Sequence, residues 1–337
     1  MAVALRDFPH FTPESKEDPM RKNRTLALGA AALVLVMSAC SPGGSGSSSA
    51  SASGAASGSP AGAKPTVKVG SAGFYEAAVV GEMYAQALEA KGFTVERKLE
   101  IGERPAVHAA MDAGDVNLIP EYLGGLAGQG LGLKELPSDP QTAWDNLQKP
   151  LEDKGWVAFD FSPGTDADGF AVRAETAQQY KLATMSDVAK VADKLTWGVA
   201  EGCPDNPVCG PGLKTTYGID LDKIDVQTLP PCGPDIITAL NNKVIDVAQV
   251  CTTQPDIVAS NLTLLEDDKH LQPAQNMVGV ATNELAVAGG ADLADTIDSI
   301  DAKLTTEALT QLGVEINVDQ KDIADVAHDF LDQNGLL

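Results

Sequence analysis

From Thr66 onward, short apolar runs alternate with stretches whose apolar residues recur every three or four positions. TVKVG (66–70) reads as a strand. After it, Val80, Met83, Tyr84, Ala87 and Leu88 share one helical face, and Gly92 stops the helix. FTVERKL (93–99) is a second strand. PAVHAAMDAG (105–114) is a helix with proline at its start and glycine at its end, and VNLI a third strand. The order βαβαβ predicts an α/β fold with a mainly parallel, helix-covered sheet. The alternation resumes with LTWGVA (195–200), a short helix in PGLKTTYG, KIDVQTL (223–229), the helix PDIITALNNK and VIDVAQV (244–250). A second α/β lobe follows. FSPGTDADGFAVR (161–173) and QPAQNMVGVATNEL (272–285) read as two extended crossings between the lobes, and two crossings make a hinge. The helical pattern of 291–337 is expected to pack back on the first lobe.

An internal register supports two similarly built lobes. Residues 110–122 align with 239–251 without a gap, at a constant offset of 129, helix end over helix end and strand over strand. Tyr122 then corresponds to Cys251, each at the carboxyl end of its strand, where ligands sit in open α/β sheets. Tyr122 stands in NLIPEYLGG, and Gly124-Gly125 read as a mobile, close-approach loop. Three further groups are candidates. Phe74, Tyr75 and Glu76 follow the first strand and offer a ligand wall at a helix N-terminus, or a staple with a dipole-complementing acid. Thr252 and Thr253 follow the last strand of the second lobe and could donate to a polar ligand or cap a helix. Glu76, Glu121, Asp168, Glu201 and Asp205 are acids near the expected site and favour a cationic or hydroxyl-rich ligand. His108 is placed at the solvent edge of its helix.

The region upstream sets the compartment. Arg21-Lys22-Asn23-Arg24 precede an uncharged apolar run from Leu26 to Ala39, which ends at Met37-Ser38-Ala39-Cys40. This pattern predicts a signal peptide over 1–39, with Met20 an alternative start, and lipidation of Cys40. The Gly/Ser/Ala segment to residue 65 has no large apolar residue and is a flexible tether. With 24 basic and 47 acidic residues, the chain has a formal net charge of −23, which speaks against nucleic acid as a partner. Besides Cys40, the cysteines are Cys203, Cys209, Cys232 and Cys251, an even number in an exported chain. Three pairings are open; the small loop favours Cys203–Cys209, leaving Cys232–Cys251. The C-x5-C spacing and the lack of a nearby histidine argue against zinc, and no metal or cofactor is expected.

With these residues placed, the chain resembles the osmoprotectant-binding proteins of ABC importers. The likeness is carried by GSAGFYEAAVVGEMYAQALEAKGFTVERKLEIG, AAMDAGDVNLIPEYLGG, LEDDK followed by QPAQN, and the DIADVAHDFL ending, and it covers nearly all of 66–337. It implies a two-lobe periplasmic-binding-protein fold of type II with two hinge crossovers and a ligand cleft. Lobe 1 would comprise 66–168 plus 273–337, and lobe 2 169–272. It also implies a small-molecule ligand, partnership with a membrane permease and its cytoplasmic ATPase, attachment to the outer face of the membrane through a lipid anchor, and a monomer. The family holds quaternary ammonium ligands (glycine betaine, choline, carnitine) in aromatic boxes, where a well-placed ring contributes roughly 0.5–2 kcal/mol. Tyr122 falls on a box tyrosine, and Asp168 and Phe170 fall on a ligand-facing stretch. Ile237 and Cys251 stand where box tyrosines are common, Ala72 where some members have lysine, Asp205 near a common arginine, Gly125 at a common threonine and Gln254 at a common aspartate. The likeness thus implies a solute-binding protein with an altered box. An extracytoplasmic enzyme or a ligand sensor on the same scaffold is the alternative. No G-x-S-x-G, Walker or G-x-G-x-x-G motif occurs.

Overall fold

The computed structural model describes residues 64–337. The segment expected to be a signal peptide, Cys40 and nearly all of the expected tether lie outside the described residues. Within them, no helix is long and apolar enough to cross a membrane. Ten strands are described: β1 Thr66–Gly70, β2 Thr94–Lys98, β3 Leu118–Tyr122, β4 Trp156–Thr165, β5 Asp168–Arg173, β6 Thr196–Val199, β7 Asp225–Thr228, β8 Val247–Cys251, β9 Leu262–Leu265 and β10 Asn276–Thr282. They form two five-stranded sheets, ordered β2-β1-β3-β10-β4 and β7-β6-β8-β5-β9.

The two orders are the same arrangement built twice. In each sheet three strands run parallel, as the βαβαβ pattern predicts. The remaining two are antiparallel additions, so the sheets are mixed rather than mainly parallel. These additions contain the segments read as extended crossings. A crossing between lobes runs through buried ground, where unpaired backbone N–H and C=O groups are costly. Strand β10 therefore pairs with both β3 and β4, and β5 with both β8 and β9. The chain leaves the first sheet after Thr165, enters the second at Asp168, and returns between Leu265 and Asn276.

Each sheet is packed on both faces. In the first lobe, the helix Tyr75–Ala90 brings Val79, Val80, Met83, Tyr84 and Leu88 against β1 and β3 on one side and the C-terminal helices on the other. Val326, Ala327 and Leu331 of the helix Ile323–Gln333 join this cluster, so the C-terminal segment does pack back on the first lobe. On the opposite face, Ile119, Leu123 and Leu126 meet Leu147 and Leu151 of the helix Pro140–Lys154. Trp197 and Phe170 form the centre of the second lobe's larger cluster, with ring centroids 5.4 Å apart, edge to face.

Strand β3 is buried throughout and carries a proline at its middle. Its pairing with β1 is confined to Val69–Leu118, so Pro120 stands past the end of that neighbour, where its missing donor costs no ladder bond. The strand's end is fixed by charge. Arg104 donates through Nε to the Glu121 carboxylate at 2.9 Å, and His108 Nε2 meets the other oxygen at 2.6 Å. His108 is buried, with its ring edge-on to Trp156, and not at the solvent edge. Amphipathic spacing did not show this, because the partner is an acid on a buried strand. Gly124 and Gly125 do allow close approach, but within a buried helical turn and not a mobile loop. Gly124 N–H donates to the Ala274 carbonyl at 2.9 Å, and a Cβ at Gly125 would stand 2.4 Å from the Arg104 guanidinium.

Breaking one partner of a buried ion pair leaves an uncompensated charge, which costs about 3–5 kcal/mol. Arg104→Ala should accordingly lower unfolding stability in urea by about 3 kcal/mol, whereas Lys149→Ala, which removes an exposed pair with Glu152 and Asp153, should leave the urea midpoint essentially unchanged.

Candidate functional site

The loops that follow β1 and β8 face each other across a cavity of about 690 Å³. From the first lobe come Phe74, Tyr75 and Glu76, with Asn317 and Val318 of the C-terminal segment. From the second come Cys232, Gly233 and Pro234 at the start of the helix Pro234–Asn241, and Cys251, Thr253, Gln254, Pro255 and Asp256 after β8. Asp166 enters from the first crossing. A groove of about 550 Å³ beside Lys64, Lys91 and Asp292 draws nothing from the second lobe, and its Lys64 is already paired with Asp292.

Glu76 is the centre of the site. It sits in the first turn of the helix Tyr75–Ala90, whose N-terminal dipole favours an acid. Yet it is only 1% exposed. Burial, then the field of the Asp166 carboxyl, pushes its pKa up to about 8, against the hydroxyls of Tyr122 and Thr253, which favour the ionised form. Tyr122 Oη is hydrogen-bonded to Oε2, while the Thr253 hydroxyl, though near enough to favour the ionised form, does not reach hydrogen-bonding geometry with Oε1. Burial also raises Asp166, which accepts from the Thr253 N–H at 3.3 Å. Tyr75 Oη donates to the Thr253 carbonyl at 3.3 Å, a direct bond between the lobes.

The second wall rests on a covalent link. The disulfides are Cys203–Cys209 and Cys232–Cys251. The second joins the loop before Gly233 to the end of β8, so sulfur occupies the place at Cys251 where an aromatic ring was considered. Asp168, Cys232 and Cys251 lie close enough for a metal, but both thiols are used in that disulfide. Gln254 is 5% exposed; its Nε2 donates to the Gly233 carbonyl and the Asp256 carboxylate, which leaves Oε1 unpartnered.

The structure therefore brings Phe74, Tyr75, Glu76 and Thr253 together on one cavity. Tyr122 stands behind Glu76, its ring 6.0 Å from that of Phe74. The other expected site residues are not among its lining residues. Asp168 opens β5 opposite Cys251, and it is Asp166, two residues earlier, that lines the cavity. Phe170 is buried against Trp197 in the second lobe's core. Thr252 is consumed by the backbone: its hydroxyl accepts from Ala167 N–H at 2.9 Å and donates to the Thr165 carbonyl. Glu201 is exposed and lies outside the cavity lining. Missed by sequence reasoning were Asp166, Asp256, Asn317 and Val318. The two acids in TDAD were visible, but not which one faces inward. Nothing in the C-terminal helical pattern marks 317–318.

Two lobes, each with ligand-facing loops at strand ends, joined by two crossings around a shared cavity, define a class: a cleft-type solute-binding protein. Comparison with known proteins agrees. The model of the substrate binding domain of ABC-type glycine betaine transport system matches residues 65–333. The carnitine transport binding protein OpuCC of Listeria monocytogenes is 30% identical over 324 residues, 93% of this chain and 97% of its own length. The glycine betaine-binding protein YehZ of Escherichia coli K12 is 25% identical over 284 residues, 80% of this chain and 90% of its own. A crystal structure of a glycine betaine/carnitine/choline ABC transporter superposes with a TM-score of 0.73 at 27% identity, over 80% of this chain and 99% of that one. Apo YehZ matches in fold, with a TM-score of 0.72 over 81% of this chain and 99% of its own. The chain belongs to this family of ABC-transporter substrate-binding proteins.

Glu76 has a sign-defined effect on stability. Its folded pKa, about 8, lies above the ordinary 4.5, so the folded state holds the extra proton and stability falls as pH rises through 8. Asp301, buried beneath Tyr84 and raised to about 7, acts in the same direction but is largely spent by pH 8. The ligand-free melting temperature should therefore decline from pH 7 to about 8 and level off above, and Glu76→Gln should flatten that decline when followed by differential scanning fluorimetry.

Proposed function

We propose that the protein is the extracytoplasmic binding component of an ABC importer and that its ligand is a small organic cation without a carboxylate. The cavity's charge carries this reading. Three carboxyl-bearing residues, Glu76, Asp166 and Asp256, line it, and no Lys, Arg or His stands among the described lining residues. A cation there gains from the acids and from the rings of Phe74 and Tyr75. The carboxylate of a zwitterion would find acids and no base to pair with, and any acid left ionised beside it would repel it, a juxtaposition that costs several kcal/mol at an interface. The relatives named for carnitine and glycine betaine support the scaffold and the transport role. Their zwitterionic ligands fit this cleft less well.

Closure is the expected output. The Tyr75–Thr253 bond joins the lobes beside the cavity, and a ligand touching both lobes would hold them together for recognition by the permease. The reading further takes lobe 1 as 66–168 with 273–337 and lobe 2 as 169–272, anchored through a lipid on Cys40 and acting as a monomer. It involves binding without chemistry.

Choline and glycine betaine share a trimethylammonium group and differ in hydroxymethyl against carboxylate. Isothermal titration calorimetry on the purified chain should give choline the tighter binding by at least tenfold. Equal or tighter binding of glycine betaine would contradict the assignment of ligand charge.

A further inference from the structure

Three buried side-chain atoms among the described residues lack hydrogen-bond partners: Glu76 Oε1, Gln254 Oε1 and Arg173 Nε. Arg173 Nε lies 3.4 Å from the Glu175 carboxylate and so has its counter-charge. The other two are oxygens, that of Glu76 an acceptor once the carboxyl is ionised, and both belong to residues that line the inter-lobe cavity, one from each lobe. Their orientation is set by their neighbours. Tyr122 occupies the second oxygen of Glu76, and the Gly233 carbonyl and Asp256 carboxylate take the amide nitrogen of Gln254, which turns its oxygen free. Buried acceptors without protein donors are rare in native proteins and call for a partner, such as a water, an ion or a ligand group.

A quaternary ammonium cannot be that group, because it carries no N–H. Its natural partner is a cage of rings. Here the positions considered for two of those rings hold Ile237, buried in the second lobe's core, and Cys251, in a disulfide. The Tyr122 hydroxyl is already committed to Glu76. The cleft thus offers the rings of Phe74 and Tyr75 and two buried, unpartnered oxygens at residues of its lining.

We propose that the cleft selects a hydrogen-bond-donating organic cation, a protonated amine or guanidinium, that spans the lobes by donating to Glu76 Oε1 on one side and Gln254 Oε1 on the other. This rests on the cleft being the ligand site, and it goes further in naming which cations enter. Glu76 is the charge partner of the ligand. Gln254 is a specificity-determining residue that rewards N–H donors and gives nothing to a methyl group. Asp166, held by the Thr253 N–H, adds negative potential between them.

The test compares matched cations by isothermal titration calorimetry at pH 7.5: ethanolamine against choline, and 1,4-diaminobutane against its hexamethylated bis-quaternary form. The N–H cation of each pair should bind at least tenfold more tightly. Gln254→Met, similar in volume but without the acceptor, should shrink that preference at least threefold while ethanolamine still binds. Wild-type protein alone decides the main point, so a Gln254 variant that fails to fold leaves it standing. Equal or tighter binding of the permethylated partners overturns the proposal while leaving the cleft as the site of an organic cation. Binding of glycine betaine or carnitine with no binding of any cation in the series overturns both the donor preference and the charge assignment, with the transport role intact. Binding of none of these compounds overturns the cleft reading as a whole.

Discussion

A carboxyl group buried where two lobes meet, with another acid beside it and no base among the described lining residues, is the constraint on which the site depends. Glu76 cannot hold a full charge there cheaply. It can keep its proton, or it can meet a cation. The surroundings favour this choice over neutralisation by an internal salt bridge, since the Arg104 guanidinium is used by Glu121 at the end of β3. Tyr122 fixes one oxygen of Glu76, Tyr75 joins the lobes through Thr253, and Thr253 N–H in turn orients Asp166. On the proposed reading, seating a cation would remove the proton that Glu76 holds in the empty cleft.

The scaffold places these groups by repetition. Strands β3 and β8 begin and end at the same offset of 129 residues and occupy the same position in sheets of the same order. Their carboxyl ends serve the cleft differently. One ends in a tyrosine that supports an acid from behind. The other ends in a cysteine whose disulfide holds the Gly233–Pro234 turn against the cavity. Family membership and ligand chemistry thus separate: the first is written in the sheets, the second in a few side chains at their ends.

Most of the fold was legible because local patterning and tertiary demand agree. The apolar runs of β1, β6 and β8 and the helical faces of 75–90 and 234–241 each bury what their periodicity exposes as apolar. The crossings were less legible, because NMVGVAT reads as extended without revealing that it pairs on both edges. The site was half legible. Phe74-Tyr75-Glu76 and Thr253 follow strands, and strand ends are predictable. Asp166 and Asp168 differ by two residues along one segment, and only the β5–β8 register shows which of them enters the ladder. Phe170 packs against Trp197 in the second lobe's core, because a ring near the hinge can serve a core as well as a cleft. Thr252 and Thr253 are adjacent, and the crossing's backbone takes the hydroxyl of the first.

Proton counting tests the central claim most directly. Calorimetric titration of the ligand at pH 7, repeated in two buffers of different ionisation enthalpy, gives the protons released on binding. With Glu76 held near a pKa of 8 in the empty cleft and ionised against a seated cation, about one proton should leave per ligand bound. Release of none, or uptake, would contradict the account of Glu76 as the ligand's charge partner.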